Sequence, residues 1–402
     1  METYQQFENG ILREERVVTI PHRDIELGIE RSHLEYFLTY PQSGINRDTG
    51  LVFCIPPWGD KADSPYQRNK LRPYISDRYN CISCGVNYFG IQPLLFNDYL
   101  MMPSPNFFEG INVLYDINPL DYAEKGNVSL NQIAEILQMK GIKRLPSYCR
   151  IVFKLKNGEY ESFGFLPALD HLVACGEILK KFSLNTKRII AFGSSYGGYI
   201  ALLMAKYAPQ TFSVIIDNSG FVRTSMNNVA GVDLYYIEKT LELKGVSFPW
   251  IRDNYWRIDD EMSPYYFSDS HKCIRNLLQE THNQCISKYY IFHAEKDTIA
   301  PTADKKAFIN AIKQDAEHVY YKIVSKEDLD GKLFKTVEHG MSASLRGIFD
   351  HVYQLDGSDL AKRRIETDFD LESTYEFRCR GKIYTFNYRK DLTLDASIKD
   401  SE

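Results

Sequence analysis

A serine set between glycines is the residue of this 402-residue chain best placed to do chemistry. Residues 193–197 read Gly-Ser-Ser-Tyr-Gly and fit the pattern G-x-S-x-G. An apolar run at 189–192 leads into the pattern, and a helical run at 199–205 follows it. A strand, a sharp turn and a helix in this order would expose the central residue, Ser195, in a strained conformation from which its oxygen can attack a carbonyl carbon.

The neighbouring residues agree with a strand, a turn and a helix. Gly197 and Gly198 place no side chain where the helix must press on the strand, and Pro209 can end the helix. A second apolar run at 213–216 resumes soon afterwards, as a parallel sheet requires. The alternative explanation is a glycine-rich turn in an ordinary α/β domain, in which Ser195 is only a helix cap.

In these features the chain resembles the α/β-hydrolase superfamily, whose serine enzymes carry a nucleophile elbow of this form. The resemblance implies an α/β fold with a mostly parallel eight-stranded sheet flanked by helices. A serine hydroxyl is a poor nucleophile at neutral pH, so it needs a histidine to accept its proton and a carboxylate to orient that histidine. In this superfamily the three residues follow one another in the order Ser, Asp or Glu, His.

The resemblance implies that the acid follows the seventh strand of the sheet. That strand ends in the segment 293–297, His-Ala-Glu-Lys-Asp, and a proline comes four residues later. Asp297 in this setting resembles the acid loop of the superfamily and is the predicted acid, whereas Glu295 is interpreted as a solvated loop charge. Asp217, just after the sixth strand, stays open as the alternative, because some members take their acid from there.

The resemblance also implies a histidine on the loop after the eighth strand. His339 precedes a glycine and a helix at 342–355, so it is the predicted base. His318 begins a strand and would lie at the wrong end of a parallel sheet, and His293 is interpreted as buried inside a strand. Residues 325–335 separate the eighth strand from His339, so we expect an elaborated loop that folds back.

An oxyanion hole is the third requirement, because losing one donor to the developing negative charge typically costs about 2.7–4 kcal/mol of barrier. The first predicted donor is the backbone N–H of Tyr196, directly after Ser195. The loop after the strand at 51–55 reads Pro-Pro-Trp-Gly, and since prolines lack an N–H, the second donor must be Trp58 or Gly59. By resemblance to the His-Gly-x form of many hydrolases, Trp58 holds this position, with Pro-Pro replacing His-Gly.

Two stretches interrupt the pattern of the sheet. Residues 89–165 are interpreted as an insertion with a hairpin that turns at Asn157-Gly158, and residues 221–284 as a lid insertion between the sixth and seventh strands. We therefore predict an α/β-hydrolase domain at 1–355 that carries both insertions. Residues 356–402 alternate aromatic and polar side chains and predict a C-terminal β-hairpin appendage.

Composition excludes several classes of protein. A net charge of −5 argues against a nucleic-acid partner, which normally leaves a basic footprint. The chain has no apolar run of about 18 residues, so we expect no membrane span, and its first residues do not form a secretory signal. The eight cysteines are scattered, which favours a cytoplasmic protein with reduced thiols. Cys81 and Cys84 form a C-x-x-C, but with no second pair to complete a zinc site they are interpreted as core residues.

These residues predict a serine hydrolase that acts on an acyl ester through Ser195, Asp297 and His339, as a carboxylesterase or carbohydrate deacetylase that needs no metal or organic cofactor. The segments 55–60 and 86–90 also resemble an uncharacterised hydrolase-like family of epsilonproteobacteria, whose genes cluster with flagellin and surface-glycan modification genes. That resemblance implies an acyl group on a sugar as the substrate.

Three alternative functions use the same residues differently. An acyltransferase would resolve the acyl-enzyme with a glycan hydroxyl instead of water. A serine peptidase is suggested by the Ser-Tyr-Gly-Gly elbow, which also occurs in prolyl-oligopeptidase-like enzymes, although only short strands precede the core here. A non-enzymatic glycan-binding protein on a hydrolase fold is the third. The sequence indicates no particular oligomeric state.

Overall fold

The computed structural model of the protein describes residues 4–8, 10–31, 33–91, 99–104, 106–122, 128–230, 239–279, 285–314, 316, 318–356, 361 and 364–401. Parts of the two predicted insertions, at 92–98, 105, 123–127, 231–238 and 280–284, lie outside the described residues. The same holds for residues 357–360, 362, 363 and 402 of the predicted C-terminal appendage.

The strands of the described residues are, in chain order, β1 Tyr4–Glu8, β2 Ile11–Thr19, β3 Leu34–Thr39, β4 Gly50–Ile55, β5 Cys81–Asn87, β6 Tyr99–Pro103, β7 Ile151–Leu155, β8 Ile189–Ser194, β9 Val214–Asn218, β10 Lys239–Leu243, β11 Val246–Arg252, β12 Lys288–Ala294, β13 His318–Val324, β14 Thr374–Cys379, β15 Lys382–Tyr388 and β16 Leu394–Asp400. The α-helices are α1 Arg72–Tyr79, α2 Phe107–Tyr115, α3 Leu130–Met139, α4 Phe165–Lys181, α5 Tyr196–Tyr207, α6 Met226–Val229, α7 Asp269–Arg275, α8 Thr302–Ile312 and α9 Leu345–Leu355.

Nine strands form the main sheet, in the order β1-β2-β3-β5-β4-β8-β9-β12-β13. The six strands from β5 to β13 in this order pair in parallel, whereas β1, β2 and β3 pair antiparallel. The architecture is therefore mixed α/β with a mostly parallel sheet, as predicted, but the sheet has nine strands and not eight. The additional strand is β1, whose sequence Tyr-Gln-Gln-Phe-Glu has no apolar run to indicate a strand.

The central strands are buried because helices cover both faces of the sheet. Every residue of β4 and β9 is buried, and parallel strands of this kind appear in a sequence as continuous apolar runs. Alternate residues of the central strands point to the same face of the sheet. On one face, Val52 of β4 and Ile190 and Phe192 of β8 pack with Ile75 of α1 and Phe349 of α9. Burial on both faces fixes the register of the strands that carry the candidate site.

The parallel pairing brings the carboxyl ends of four neighbouring strands to one edge of the sheet. β4 is followed by the loop that contains Trp58, β8 by Ser195, β9 by Ser219 and β12 by Asp297. In open α/β sheets this edge is where ligands bind.

Backbone contacts divide the chain into two compact units. The first consists of Met1–Leu94, Ser162–Thr224 and Ser268–Glu402, and it contains the main sheet. The second consists of Leu95–Glu161 and Ser225–Phe267. The insertion at 89–165 and the lid insertion at 221–284 both overlap the second unit, and the role of a lid stays a prediction.

The second unit contains a four-stranded sheet in the order β10-β11-β7-β6. A hairpin at Asn157-Gly158 was expected, but residues 159–163 form no strand, and β7 pairs with β6 antiparallel and with β11 in parallel. An isolated two-stranded hairpin is only marginally stable, whereas these pairings bury Phe153 and Trp250 in a common core. The prediction of a hairpin at Asn157-Gly158 was therefore wrong, because it gave β7 the wrong partner.

The C-terminal residues form a three-stranded antiparallel sheet, β14-β15-β16, instead of the predicted two-stranded hairpin. The additional strand, β16, begins Leu-Asp-Ala-Ser and lacks the aromatic alternation that indicated the first two strands. The sheet packs on the end of α5. The Phe386 and Tyr207 rings stack with centroids 4.9 Å apart, and the Tyr388 hydroxyl donates to the Tyr207 carbonyl at 2.9 Å.

Candidate active site

Ser195 lies at the junction between β8 and α5 in a backbone conformation that L-residues rarely adopt. Its φ is 54° and its ψ is −119°. Two hydrogen bonds hold this residue: its N–H donates to the Asn218 carbonyl at 2.7 Å, and its own carbonyl accepts from the Tyr199 N–H at 3.1 Å. A conformation of this kind costs about 1–3 kcal/mol and persists only where the surroundings enforce it.

The glycines on either side of Ser195 are required by close packing. A Cβ atom on Gly193 would lie 2.1 Å from the carbonyl carbon of Gly197, and one on Gly197 would lie 2.3 Å from the Ile55 carbonyl oxygen. A Cβ atom on Gly198 would lie 2.3 Å from a carboxylate oxygen of Asp217. Because α5 begins directly against the ends of β4, β8 and β9, no side chain fits at these positions.

The structure brings Ser195, His339 and Asp297 together in one hydrogen-bonded series. The Ser195 Oγ lies 2.7 Å from the His339 Nε2. The His339 Nδ1 lies 2.8 Å from Oδ2 and 3.0 Å from Oδ1 of Asp297. Since a carboxylate only accepts, the Nδ1 carries a proton and donates it to Asp297, which leaves the Nε2 of a neutral imidazole to accept from the serine hydroxyl.

Asp297 is buried but has enough donors to stay ionised. The backbone N–H groups of Ile299 and Ala300 donate to its Oδ1 at 3.0 and 2.8 Å. Burial alone would raise the pKa of Asp297, but the hydrogen bond and charge of His339, together with the Ala300 N–H, lower it below the usual value. The carboxylate is therefore negative at neutral pH and can orient the imidazole.

A second histidine supports the loop that holds Asp297. The buried His293 donates from Nε2 to the Ala300 carbonyl at 2.9 Å, and the same Nε2 lies 3.5 Å from Asp297 Oδ2. Burial, with a smaller contribution from Lys305, lowers the pKa of His293 to about 4, so this imidazole is neutral. Ala300 thus accepts from His293 through its carbonyl and donates to Asp297 through its N–H, which fixes the carboxylate.

Asp217, the alternative acid, is engaged elsewhere. One of its oxygens lies 2.5 Å from the Lys305 Nζ, and the other accepts from the Gly220 N–H at 2.7 Å. Both Asp217 and Lys305 are fully buried. The imidazole of His339 is paired with Asp297 and not with Asp217. Sequence reasoning did not foresee Lys305 in this place, because a lysine on a helix is normally a solvated charge.

The loop that carries His339 folds back through an unusual run of backbone conformations. Gly340, Met341 and Ser342 have φ values of 73°, 56° and 42°, which is a strained series for two residues with side chains. Met341 is fully buried in the main core, and the Gly340 N–H donates to the Ser219 Oγ at 3.2 Å. These two anchors set the position of His339, and no sequence motif had pointed to Ser219.

The two residues predicted to supply the oxyanion hole lie beside each other. Tyr196 is the first residue of α5, and N–H groups in the first turn of a helix point to acceptors beyond it. Trp58 is half-buried in the loop after β4, and its ring centroid is 5.4 Å from that of Tyr196. The phenol oxygen of Tyr196 is buried and accepts from the Gly164 N–H at 2.7 Å, which fixes this side chain.

Within the described residues, no three side chains of the types His, Cys, Asp and Glu come together as a metal site would require. Cys81 and Cys84 are both buried in β5, and burial raises the pKa of each thiol, to about 11 for Cys81. None of the helices in the described part of the chain has the length and apolarity to cross a bilayer.

Comparison with solved structures gives hydrolases of low sequence identity. An S-formylglutathione hydrolase from Agrobacterium tumefaciens is 13% identical, with 88% of this chain and 98% of that chain covered and a TM-score of 0.43. An acylaminoacyl peptidase from Pyrococcus horikoshii is 12% identical, with 90% and 42% covered and a TM-score of 0.47. Esterase 2 from Thermogutta terrifontis is 10% identical, with 85% and 95% covered and a TM-score of 0.40.

Comparison with protein families gives one match over most of the chain. The profile of a family described as "Protein of unknown function (DUF2920)" matches residues 17–395. A search of curated proteins returned no significant match.

Proposed function

The chain belongs to the DUF2920 family, and from its site we propose that it is a serine hydrolase with an α/β-hydrolase fold that acts on an acyl ester through an acyl-enzyme. One observation carries the proposal. The Ser195 Oγ lies 2.7 Å from the His339 Nε2, and the Nδ1 of the same imidazole lies 2.8 Å from a carboxylate oxygen of Asp297. This is the geometry that a nucleophile, its general base and the orienting acid require.

In the proposed acylation step, the Ser195 Oγ forms a bond to the acyl carbon while His339 Nε2 takes the hydroxyl proton. Asp297 accepts the hydrogen bond from the Nδ1–H of His339 and so stabilises the imidazolium, but it does not itself take up a proton. The tetrahedral intermediate then breaks its bond to the leaving alcohol, which receives the proton from Nε2. The acyl group stays on Ser195 as an ester.

Deacylation repeats the same steps with water as the nucleophile. His339 accepts a proton from water, the hydroxide adds to the acyl carbon, and the bond to Ser195 breaks as its oxygen recovers the proton. The carboxylic acid leaves and the free enzyme returns. The backbone N–H groups of Tyr196 and Trp58 are proposed to stabilise the oxyanion in both steps, and the neighbouring positions of these two residues support that assignment.

For the substrate we propose a carboxylic ester, and more narrowly an acyl ester of a carbohydrate. The likeness of segments 55–60 and 86–90 to a glycan-linked family supports the narrower form. So does the half-buried Trp58 in the loop after β4, because aromatic faces pack on the apolar faces of sugar rings. A cytoplasmic location belongs to this proposal, because none of the eight cysteines, all of them among the described residues, is joined in a disulfide.

The nucleophile is tested with a fluorophosphonate probe, which reacts with activated serines. The wild-type protein should be labelled and Ser195→Ala should not. The adjacent Ser194→Ala is the matched control, since the Ser194 hydroxyl accepts from the Asn218 amide at 2.9 Å and has no place in the proposed chemistry. It should be labelled like the wild type. Equal labelling of Ser195→Ala and wild-type protein would contradict the proposal.

The substrate class is tested by turnover of short-chain aryl esters and acetylated monosaccharides. Hydrolysis predicts release of free acid, with a kcat lowered by at least about 10³-fold in Ser195→Ala. An acyltransferase would instead move the acyl group to an added glycan acceptor, which mass spectrometry of the glycan detects. Binding of glycan without turnover, unaffected by His339→Gln, would favour the non-enzymatic alternative.

A further inference from the structure

Two cysteines that are far apart in the sequence meet in the first unit. Cys273 lies in α7 and Cys379 ends β14. The Cys273 Sγ lies 3.9 Å from the carbonyl oxygen of Arg378, the residue next to Cys379. The Gln279 Nε2 donates to the same Arg378 carbonyl at 3.3 Å and lies 3.5 Å from the Cys379 Sγ. This proximity places the pair where a covalent link would join a helix to a strand.

The two sulfurs differ in burial and in their neighbours. Cys273 is half-buried, whereas Cys379 is buried and contacts the Gln279 amide, with its Sγ 3.5 Å from Nε2. Burial, with a smaller contribution from the nearby Cys273, raises the pKa of Cys379 to about 12. The Cys379 thiol therefore stays protonated at neutral pH, and Cys273 is the sulfur that a dissolved oxidant reaches first.

A lysine stands beside the pair and is fixed by the same segment. The Lys206 Nζ donates to the carbonyl of Ile274 at 2.7 Å and to the Gln279 Oε1 at 3.0 Å. Cys285, also half-buried, has a different setting, since its Sγ contacts the hydroxyls of Ser287 and Tyr289 at 3.4 and 3.1 Å.

We propose that Cys273 and Cys379 are a redox modification site, at which hydrogen peroxide converts the two thiols into a disulfide between α7 and β14. In the first step the Cys273 thiolate attacks a peroxide oxygen, the O–O bond breaks, and the sulfur becomes a sulfenic acid while hydroxide leaves. In the second step the Cys379 sulfur attacks the sulfenic sulfur, the S–O bond breaks, and the departing hydroxide takes the Cys379 proton. Two thiols and one peroxide give one disulfide and two waters.

The bond would tie the C-terminal sheet to the body of the first unit at a second place. The sheet already packs on α5 through Phe386 and Tyr388, and α7 is joined to α5 by Lys206. The closed loop runs from Cys273 to Cys379 and includes both Asp297 and His339. A disulfide that closes a loop of this length restricts the unfolded chain, so the thermal midpoint of the oxidised protein should rise by about 5 °C.

The experiment oxidises the purified full-length protein with stoichiometric hydrogen peroxide, alkylates the remaining thiols and maps the peptides without reduction. The expected result is a peptide pair linked through Cys273 and Cys379, reversed by dithiothreitol, together with the higher thermal midpoint. Cys285→Ser is the matched control and should give the same link. Cys273→Ser alters the half-buried partner, so its fold is expected to survive, and it should lose both the link and the thermal shift.

Three results would overturn the proposal. The first is a Cys273 that proceeds to sulfinic acid while Cys379 stays a thiol. The second is a link from Cys273 to another cysteine. The third is a linked pair whose thermal midpoint equals that of the reduced protein, because the bond would then not join two separately held elements.

Discussion

Two buried carboxylates at neighbouring strand ends have different partners. The partner of one indicates a role in catalysis, and the partner of the other indicates a role in stability. Asp297 follows β12 and pairs with an imidazole whose side chain is 17% exposed. Asp217 lies near the end of β9 and pairs with an ammonium group that solvent does not reach. In the buried pair of Asp217, both charged groups have lost their hydration. Removing one charge therefore leaves the other buried and unpaired.

We expect Asp297→Asn and Asp217→Asn to have opposite effects. Asp297→Asn should lower kcat by about 10²–10⁴-fold with little change in the free energy of unfolding, because an amide cannot hold the His339 tautomer or stabilise the imidazolium. Asp217→Asn should lower the free energy of unfolding by about 3–5 kcal/mol, because it leaves the Lys305 ammonium without its counter-charge. Ester turnover and urea denaturation measure the two quantities.

The same pair of variants decides the identity of the acid. If Asp217→Asn kept its stability and lost turnover while Asp297→Asn turned over normally, the acid would be Asp217 and our assignment would be wrong. Lys305→Met is a useful control beside Asp217→Asn, because it removes the other charge of the same pair. It should destabilise the protein comparably.

At the scale of elements, the junction of β8 and α5 is the most tightly specified part of the chain. The helix begins so close to β4 that the Ile55 and Pro56 carbonyl oxygens would lie 2.3 and 2.6 Å from a Cβ atom on Gly197. Movement of the helix start would carry with it both the strained Ser195 and the N–H of Tyr196. Packing of one element thus controls nucleophile and oxyanion donor together.

Gly197→Ala should therefore damage both stability and chemistry. We expect the free energy of unfolding to fall by about 3 kcal/mol or more, because backbone atoms and not flexible side chains must give way. Labelling by fluorophosphonate should slow at least tenfold. Gly141→Ala is the control: the φ of Gly141 is +75°, but no atom of the described residues lies within 4 Å of the added carbon, so a loss of about 1 kcal/mol is expected with normal labelling. Equal effects of the two variants would show that close packing is not the cause.

Elements differ in how far the sequence predicts them, for a physical reason. The central parallel strands are continuous apolar runs because both faces are buried, and the eight strands predicted for the main sheet are all present in it. β1 and β16 were missed because their residues show neither an apolar run nor aromatic alternation, although each strand pairs with its neighbour in the sequence. The partners of β7 were missed because β6 and β11 are distant from it in the sequence, and a local pattern does not indicate such pairing.

The same distinction holds within the candidate site. Ser195 could be predicted because strand, turn and helix are consecutive in the sequence, and Asp297 and His339 followed from the order of the superfamily. Residues that act on the site from a distance were not recognised. Lys305 neutralises Asp217 from α8, and Ser219 holds the His339 loop from the end of β9. Their roles arise only when the sheet closes.

At the scale of the whole molecule, buried histidines make stability depend on pH. Burial lowers the pKa of His171 to about 4, that of His271 to about 3 and that of His293 to about 4. For His171 the geometry explains why. Its Nδ1–H donates to the Pro167 carbonyl at 2.7 Å, and its buried Nε2, which would have to accept the second proton, has no hydrogen-bond partner among the described residues.

The sign of the effect follows from which state binds the proton. A histidine in the unfolded chain has a pKa of about 6.5, so near pH 5 it is charged there and neutral in the folded chain. Unfolding then takes up protons, and stability falls as the pH falls from about 6.5 to about 4. Burial raises the pKa of Asp24 and of Glu26, and these two groups act with the opposite sign. A comparison of variants therefore isolates the histidines better than the wild-type curve alone.

We expect His171→Asn to flatten the dependence of stability on pH. Asparagine cannot titrate, and its amide can still donate to the Pro167 carbonyl, so the variant should lose about 2 kcal/mol less than the wild type between pH 7 and pH 5. Urea denaturation at several pH values measures this difference, whatever the absolute cost of the substitution at pH 7. His318→Asn is the control, since that side chain is exposed, and its curve should run parallel to the wild type. If the His171→Asn curve also ran parallel, acid sensitivity would have to arise from carboxylates and not from this buried imidazole.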